Sequence, residues 1–362
     1  MTNVRRFRIV GLMSGTSMDG VDVALIETDG RDHIHRLGGA VYPYPVDIKE
    51  KLMACVRDRG ANWTLRRAAT TAITEAHIHA VRALLETRGA DPESVDLIGF
   101  HGHTVDHCPA EGRTVQIGDA DRLAGATGID VVCDFRQADV LEGGHGAPLA
   151  PVYHRALTLD LIKPVAVLNI GGIANLTWIG HTAPLLACDT GPGNAPIDDW
   201  VRSHGRGDFD TDGRIAASGK VNDTVLQTML ADSWFDLRGP KSLDRGDVSF
   251  GAVEKLSLED GAATLTALAA HTVAKVARGL PEMPHRLLVT GGGRRNPVLM
   301  RHLAMALKAP VQPVEAIGLD GDLLEAELMA YLAARHRLSL ALTYPETTGV
   351  RVPMTGGRFV PA

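Results

Sequence analysis

Two stretches of this chain, about 160 residues apart, share one plan: an apolar strand, a short glycine-bearing polar turn, and a second apolar strand. In the first, residues 7–12 are apolar, the polar segment 14–20 follows, and residues 21–27 alternate and are rich in valine and isoleucine. In the second, residues 164–170 are apolar, Gly171 and Gly172 open a turn running to residue 175, and strands resume at 176–179 and 185–189. A duplicated hairpin whose turns face one ligand accounts for the repeat, although the turns share only glycine and small polar residues. The 362 residues exceed one ordinary compact domain and suit two. We therefore expect two lobes around a cleft, residues 1–147 and 148–339, with the tail 340–362 packing back on the first. No linker-like segment interrupts the chain, so the lobes are expected to be hinged rather than tethered.

The remaining pattern is α/β. Helical periodicity covers residues 47–59 and 65–88, the latter stopped by Gly89, and recurs at 264–280, 298–307 and 323–336. Strands are expected at 39–44, 95–100 and 286–290. With 37 basic and 43 acidic residues, a net charge of −6 excludes the basic field that attracts nucleic acid or an anionic membrane. No signal peptide or membrane span is legible at the N-terminus or elsewhere, and the four cysteines are scattered with no C-x-x-C pair. A cytoplasmic protein with reduced thiols is the expectation.

Several segments carry chemistry. Residues 11–22 set hydroxyls, carboxylates and glycines into a strand-to-strand turn, a combination that suits a nucleotide triphosphate and its magnesium ion. An ordinary glycine-rich hairpin is equally compatible, and the missing G-K-[ST] ending excludes a P-loop there. Asp189, at the end of an apolar run and before Gly191 and Gly193, is placed as a general base, with an Asp-initiated turn as the rival reading. Gly291, Gly292 and Gly293 favour close approach of a ligand over a plain strand-to-helix connection. Arg136 suits bidentate capture of a carboxylate, or an interlobe ion pair with Asp134 or Asp139. His101, His103, His107 and Cys108 invite a zinc reading, but the stretch leads into Pro109 and fits a substrate-contacting loop better; no metal ligand is assigned. Glu325 alone reads as a solvated helix charge.

Taken in order, residues 11–22, His101-Gly-His103, residues 116–119, Asp134-Phe-Arg136 with 143–148, residues 169–175, 189–194, 291–296 and 347–349 resemble the motif set of the anhydro-N-acetylmuramic acid kinase family over nearly the whole chain. The resemblance implies a two-lobed actin-like ATPase or sugar kinase fold of duplicated ribonuclease H-like domains, with ATP between the lobes and a homodimer. The implied reaction opens the 1,6-anhydro bridge with water and phosphorylates the freed 6-oxygen, in cell-wall recycling. By the same resemblance Gly15, Thr16, Ser17, Met18, Asp19, Gly20, Val21 and Asp22 hold the ATP phosphates with Mg2+, and Gly171, Gly172, Gly291, Gly292, Gly293 and Asn296 complete the nucleotide site. Asp189 is the implied base and Glu325 a second acidic catalytic residue near the sugar, with Ser14, His101 and Arg136 also at the sugar. The family's E-A-x-A-F-A pattern reads Glu325-Ala-Glu-Leu-Met-Ala here, a departure that loosens the register of Glu325.

Overall fold

The structure is a computed structural model that describes residues 5–15, 17–182, 184–243 and 247–362; the expected phosphate contact Thr16 lies outside them. The chain divides into two compact units, one running to Leu159 and resuming at Asp322, the other spanning Asp160–Gly321.

In the first unit β1 (Phe7–Ser14) and β2 (Gly20–Thr28) form the expected hairpin, joined antiparallel by β3 (Ile34–Pro43). β4 (Leu97–Cys108) lies parallel to β1 on its other side, pairs with β5 (Arg113–Ile117), and is followed by the parallel β6 (Val131–Cys133). The C-terminal strand Arg358–Val360 closes that edge antiparallel to β6. The helix Trp63–Arg88 starts on an Asn62 cap and ends where Gly89 turns left-handed at φ 59. Val10, Leu12, Val23, Leu25, Ile73, Val81, Leu84 and Ile98 make one core, each burial contributing about 2 kcal/mol.

The second unit repeats the order. β7 (Val165–Ile170), β8 (Ile173–Ile179) and β9 (Leu185–Pro192) run antiparallel, and β10 (Arg286–Thr290) then β11 (Val311–Pro313) add parallel strands beside β7. The path β9-β8-β7-β10-β11 matches β3-β2-β1-β4-β6 in sequence and direction. This is the duplicated ribonuclease H-like topology. The internal repeat, faint in sequence, is complete in hydrogen bonding.

Three expectations need correction. The turn read at residues 171–175 is only Gly171 and Gly172, because Ile173 already pairs with Pro192. The strand expected to stop at residue 100 continues to Cys108, so the histidine segment is not a loop but one arm of the β4–β5 hairpin. Finally, the helix Leu324–Arg337, read as the end of the second lobe, packs on β1, β2 and β4. Glycine explains the last case. A Cβ on Gly11 would run into the Ala326 carbonyl and one on Gly99 into the Met329 carbonyl, so both strands admit the helix backbone directly onto the sheet.

Candidate active site

The first-unit turn is held at both ends by one residue, Tyr44, through its hydroxyl and its backbone N–H. Ser14, the last residue of β1, is buried; its Oγ accepts from the Tyr44 hydroxyl at 2.8 Å and lies 2.9 Å from His103 Nδ1. The Tyr44 N–H donates to the Asp19 carbonyl at 2.9 Å, across the turn, while Met18, at φ 56, closes it by donating to the Gly15 carbonyl at 3.0 Å. Ser17 and Asp19 are exposed on this turn. Gly20 and Val21 are buried, with Val21 in the core, so at these two positions only backbone is offered to a ligand. Burial, and then Glu325, Asp322 and Asp19, push the Asp22 carboxyl up to about 7. The turn thus sits beside concentrated negative charge.

Glu325, which no local motif marked, is brought into this site by its helix. Its charge acts on Asp22 and also on Arg136, whose guanidinium burial pushes down to about 10 while Glu325 and Asp139 oppose the shift. Arg136 Nε donates to His101 Nε2 at 2.9 Å and Nη1 to the Gly146 carbonyl at 2.8 Å. Because Nε2 accepts, His101 carries its proton on Nδ1 and donates to the Gly102 carbonyl at 3.0 Å; burial first, then Arg136, lower its pKa to about 3. The ion-pair alternative for Arg136 does not hold: Arg358 takes Asp134 at 2.8 Å, and Asp139 accepts from Gly146 N–H at 2.6 Å and from the Thr348 hydroxyl at 2.6 Å. Thr343 is a further donor to Asp139. Asp139 is therefore the buried anchor of the loop that presents Arg136.

In the second unit Asp189 lies within β9 rather than at its end, opposite Asn175 and next to a register break between Ala174 and Asn175. Its N–H donates to the Lys241 carbonyl at 3.0 Å, and its Oδ2 accepts from the Leu243 N–H at 2.9 Å. Gly193 N–H reaches the Gly172 carbonyl and Asn194 N–H the Gly171 carbonyl, both at 2.8 Å, locking the β7–β8 turn against the end of β9. Gly291 takes φ 76, and a Cβ there would strike Asn169 Oδ1, so glycine is required. Gly292 starts a short 3-10 turn to Arg295. Asn296, expected at the nucleotide, spends its carboxamide oxygen capping the helix Pro297–Leu307 through the Val298 and Leu299 N–H groups.

Sequence reasoning missed Tyr44, Asp322 and Lys241, and it saw Asp139 only as an ion-pair partner for Arg136. Tyr44 and Lys241 sit in no motif, and only the acidic pair Asp320 and Asp322 offered a signal.

Two units of this topology, one with a backbone-lined turn beside clustered carboxylates and the other with a strand-borne carboxylate, define the class by fold, the duplicated architecture of actin-like ATPases and sugar kinases. The chain belongs to the anhydro-N-acetylmuramic acid kinase family, whose model matches residues 7–362. It is 50% identical over 353 residues to the anhydro-N-acetylmuramic acid kinase of Paramagnetospirillum magneticum, covering 96% of this chain and 98% of that protein. It is 49% identical over 354 residues to the one of Rhizorhabdus wittichii, covering 96% and 97%. Among solved structures, the Acidaminococcus fermentans (R)-2-hydroxyglutaryl-CoA dehydratase component A matches 91% of this chain and 99% of its own, with TM-score 0.48 at 12% identity.

Proposed function

We propose that this protein opens the 1,6-anhydro ring of anhydro-N-acetylmuramic acid with water and transfers the γ-phosphoryl group of ATP to the freed 6-oxygen, giving N-acetylmuramic acid 6-phosphate and ADP in cell-wall recycling. The observation that carries this is a family match across residues 7–362 that retains both the first-unit turn and Asp189.

In the mechanism the turn from Gly15 to Asp22 holds the ATP phosphates through backbone N–H groups and the exposed Ser17 hydroxyl, and Gly291, Gly292 and Gly293 leave room for the adenosine. Gly171 and Gly172 complete the nucleotide side. Asp189 takes a proton from the attacking water at the anomeric carbon, and the 6-oxygen leaves toward the γ-phosphorus. Arg136, its fork oriented by His101 and the Gly146 carbonyl, pairs with the lactyl carboxylate of the sugar. Glu325 is the second acidic group at the sugar. Ser14 orients the turn from beneath, since its hydroxyl is engaged by Tyr44 and His103.

The residues fit Mg2+ in one specific way. The described residues hold no cluster of three or more ligands that forms a metal cage, yet Asp22, Asp19, Asp322 and Glu325 concentrate charge beside the turn. Mg2+ commonly binds through one or two carboxylates plus phosphate oxygens, and Asp22 and Asp19 are the residues that would hold it, where it would neutralise phosphate charge. The reaction belongs in the cytoplasm, where ATP is available, and a homodimer is the assembly we propose.

The test is ADP release on 1,6-anhydro-N-acetylmuramic acid in oxygen-18 water, quenched before anomeric exchange. One heavy oxygen at the anomeric carbon is expected. ADP release with no label there removes water as the nucleophile, and sugar-independent ADP release removes the kinase. Asp189→Asn is expected to lose ~10²–10⁴-fold in kcat while folding normally.

A further inference from the structure

Lys241 is a lysine with 8% of its surface exposed, on a segment with no recognised motif. Burying an ammonium is costly unless it is compensated, so its surroundings need an account. The side chain lies over the Trp234 ring, with Nζ 4.0 Å from the centroid, and donates to the Trp234 carbonyl at 3.2 Å. Trp234 is itself set by an edge-on contact with Phe235 at 5.6 Å, and Phe235 packs with Leu243 and Val248. The ammonium therefore pins residues 241–243 from one end while Leu243 pins them from the other.

That pinned segment is what touches Asp189. The Lys241 carbonyl receives the Asp189 N–H at 3.0 Å, and the Leu243 N–H donates to the Asp189 carboxylate at 2.9 Å. One short stretch thus fixes both the backbone and the carboxylate of the residue read as the base. The charged and titratable groups facing the Lys241 ammonium are Cys188 and Asp189 on β9, Asp236, and Lys275 on the helix Leu258–Ala277, which pairs with Asp236 at 2.7 Å. Burial lowers the Lys241 pKa, and Cys188, Asp189 and Asp236 counter that shift.

We propose that Lys241 is a positioning residue for Asp189: anchored on Trp234, it holds in place the stretch whose Lys241 carbonyl and Leu243 N–H grip the Asp189 backbone and carboxylate. The catalytic part of this rests on the assignment of Asp189 as base; the positioning part does not.

The experiment separates the two with full-length protein. Lys241→Gln removes the charge but keeps a donor for the Trp234 carbonyl, and Lys241→Arg keeps the charge. The Asp189 carboxyl is followed by carbon-13 NMR, assigned by difference from Asp189→Asn, alongside kcat against pH. In Lys241→Gln the Asp189 carboxyl is expected to titrate about one pH unit higher than in wild type, and Lys241→Arg to restore it. The acid limb of kcat should move up by the same amount, with the KM for ATP within about twofold. An unmoved Asp189 titration in Lys241→Gln overturns the proposal, even if that variant is less stable, because a purely structural lysine lowers the melting temperature without moving the carboxyl. Should Asp189→Asn remain active while the titration shift appears, the base assignment falls and the positioning stands.

Discussion

The Tyr44 hydroxyl donates to Ser14 Oγ at 2.8 Å, and Ser14 in turn meets His103 Nδ1 at 2.9 Å, so a buried chain of three side chains underlies the β1–β2 turn. With the Tyr44 proton committed to Ser14, the Ser14 proton goes to Nδ1 and His103 keeps its own on Nε2. Tyr44→Phe removes one hydrogen bond and is expected to cost about 1 kcal/mol in urea unfolding. Ser14→Ala strands two buried polar groups and should cost about 2–3 kcal/mol. Both variants loosen the turn, so the KM for ATP should rise more than kcat falls; an unchanged KM in Ser14→Ala detaches this chain from phosphate binding.

Gly99 and Gly89 make a matched pair of glycine tests. A methyl on Gly99 meets the Met329 carbonyl, and the helix carrying Glu325 has to retreat. Gly99→Ala is expected to cost about 2–3 kcal/mol and to lower kcat, as measured by thermal unfolding and steady-state turnover. Gly89 is left-handed at φ 59 but has open space around its missing Cβ. Gly89→Ala should therefore cost only about 1 kcal/mol and leave kcat intact.

Arg136 offers a fork whose Nε and Nη1 already contact His101 and Gly146. Lysine keeps the charge but not the fixed fork. Arg136→Lys is predicted to raise the KM for the sugar roughly 10–100-fold, equal to about 1.5–3 kcal/mol, with little change in the KM for ATP. Equal losses for both substrates would remove Arg136 from carboxylate recognition.

Acid should undo the first unit before the second. Burial, the leading cause in each case, lowers the pKa of His77, His103, His107 and His154 to about 4 and that of His101 to about 3, and all five lie in the first unit. A histidine whose folded pKa is depressed contributes stability above its unfolded value near 6.5 and loses it as pH falls toward the folded value. Asp22, raised to about 7, has the opposite sign between its ordinary 3.8 and 7, but it is one group against five. Unfolding free energy should therefore fall from pH 6.5 to 4, with hydrogen exchange rising first in β1, β2 and β4. Uniform loss across both units would contradict this.

Much of the fold was legible because its signals are local. The β1–β2 and β7–β8 hairpins, the Gly89 helix stop and the strand Arg286–Thr290 each follow from patterns within ten or so residues. The histidine segment was misread as a loop because its pairing partner, β5, supplies the evidence for a strand only across space. The candidate site divides in the same way: the glycine turns and Asp189 announce themselves, whereas Asp139 and Lys241 look like ordinary charged residues until their burial is seen.

By itself the sequence determined the family, the duplicated strand plan and the residue types offered to a phosphate and a sugar, because these depend on periodicity, glycine placement and motif order. Only the tertiary structure decided that the helix Leu324–Arg337 lies on β1, β2 and β4, where Glu325 acts on Asp22 and Arg136. The physical reason is distance along the chain: a helix chooses its sheet by where two glycines let backbone meet backbone, and a carboxylate acquires its electrostatics from neighbours hundreds of residues away.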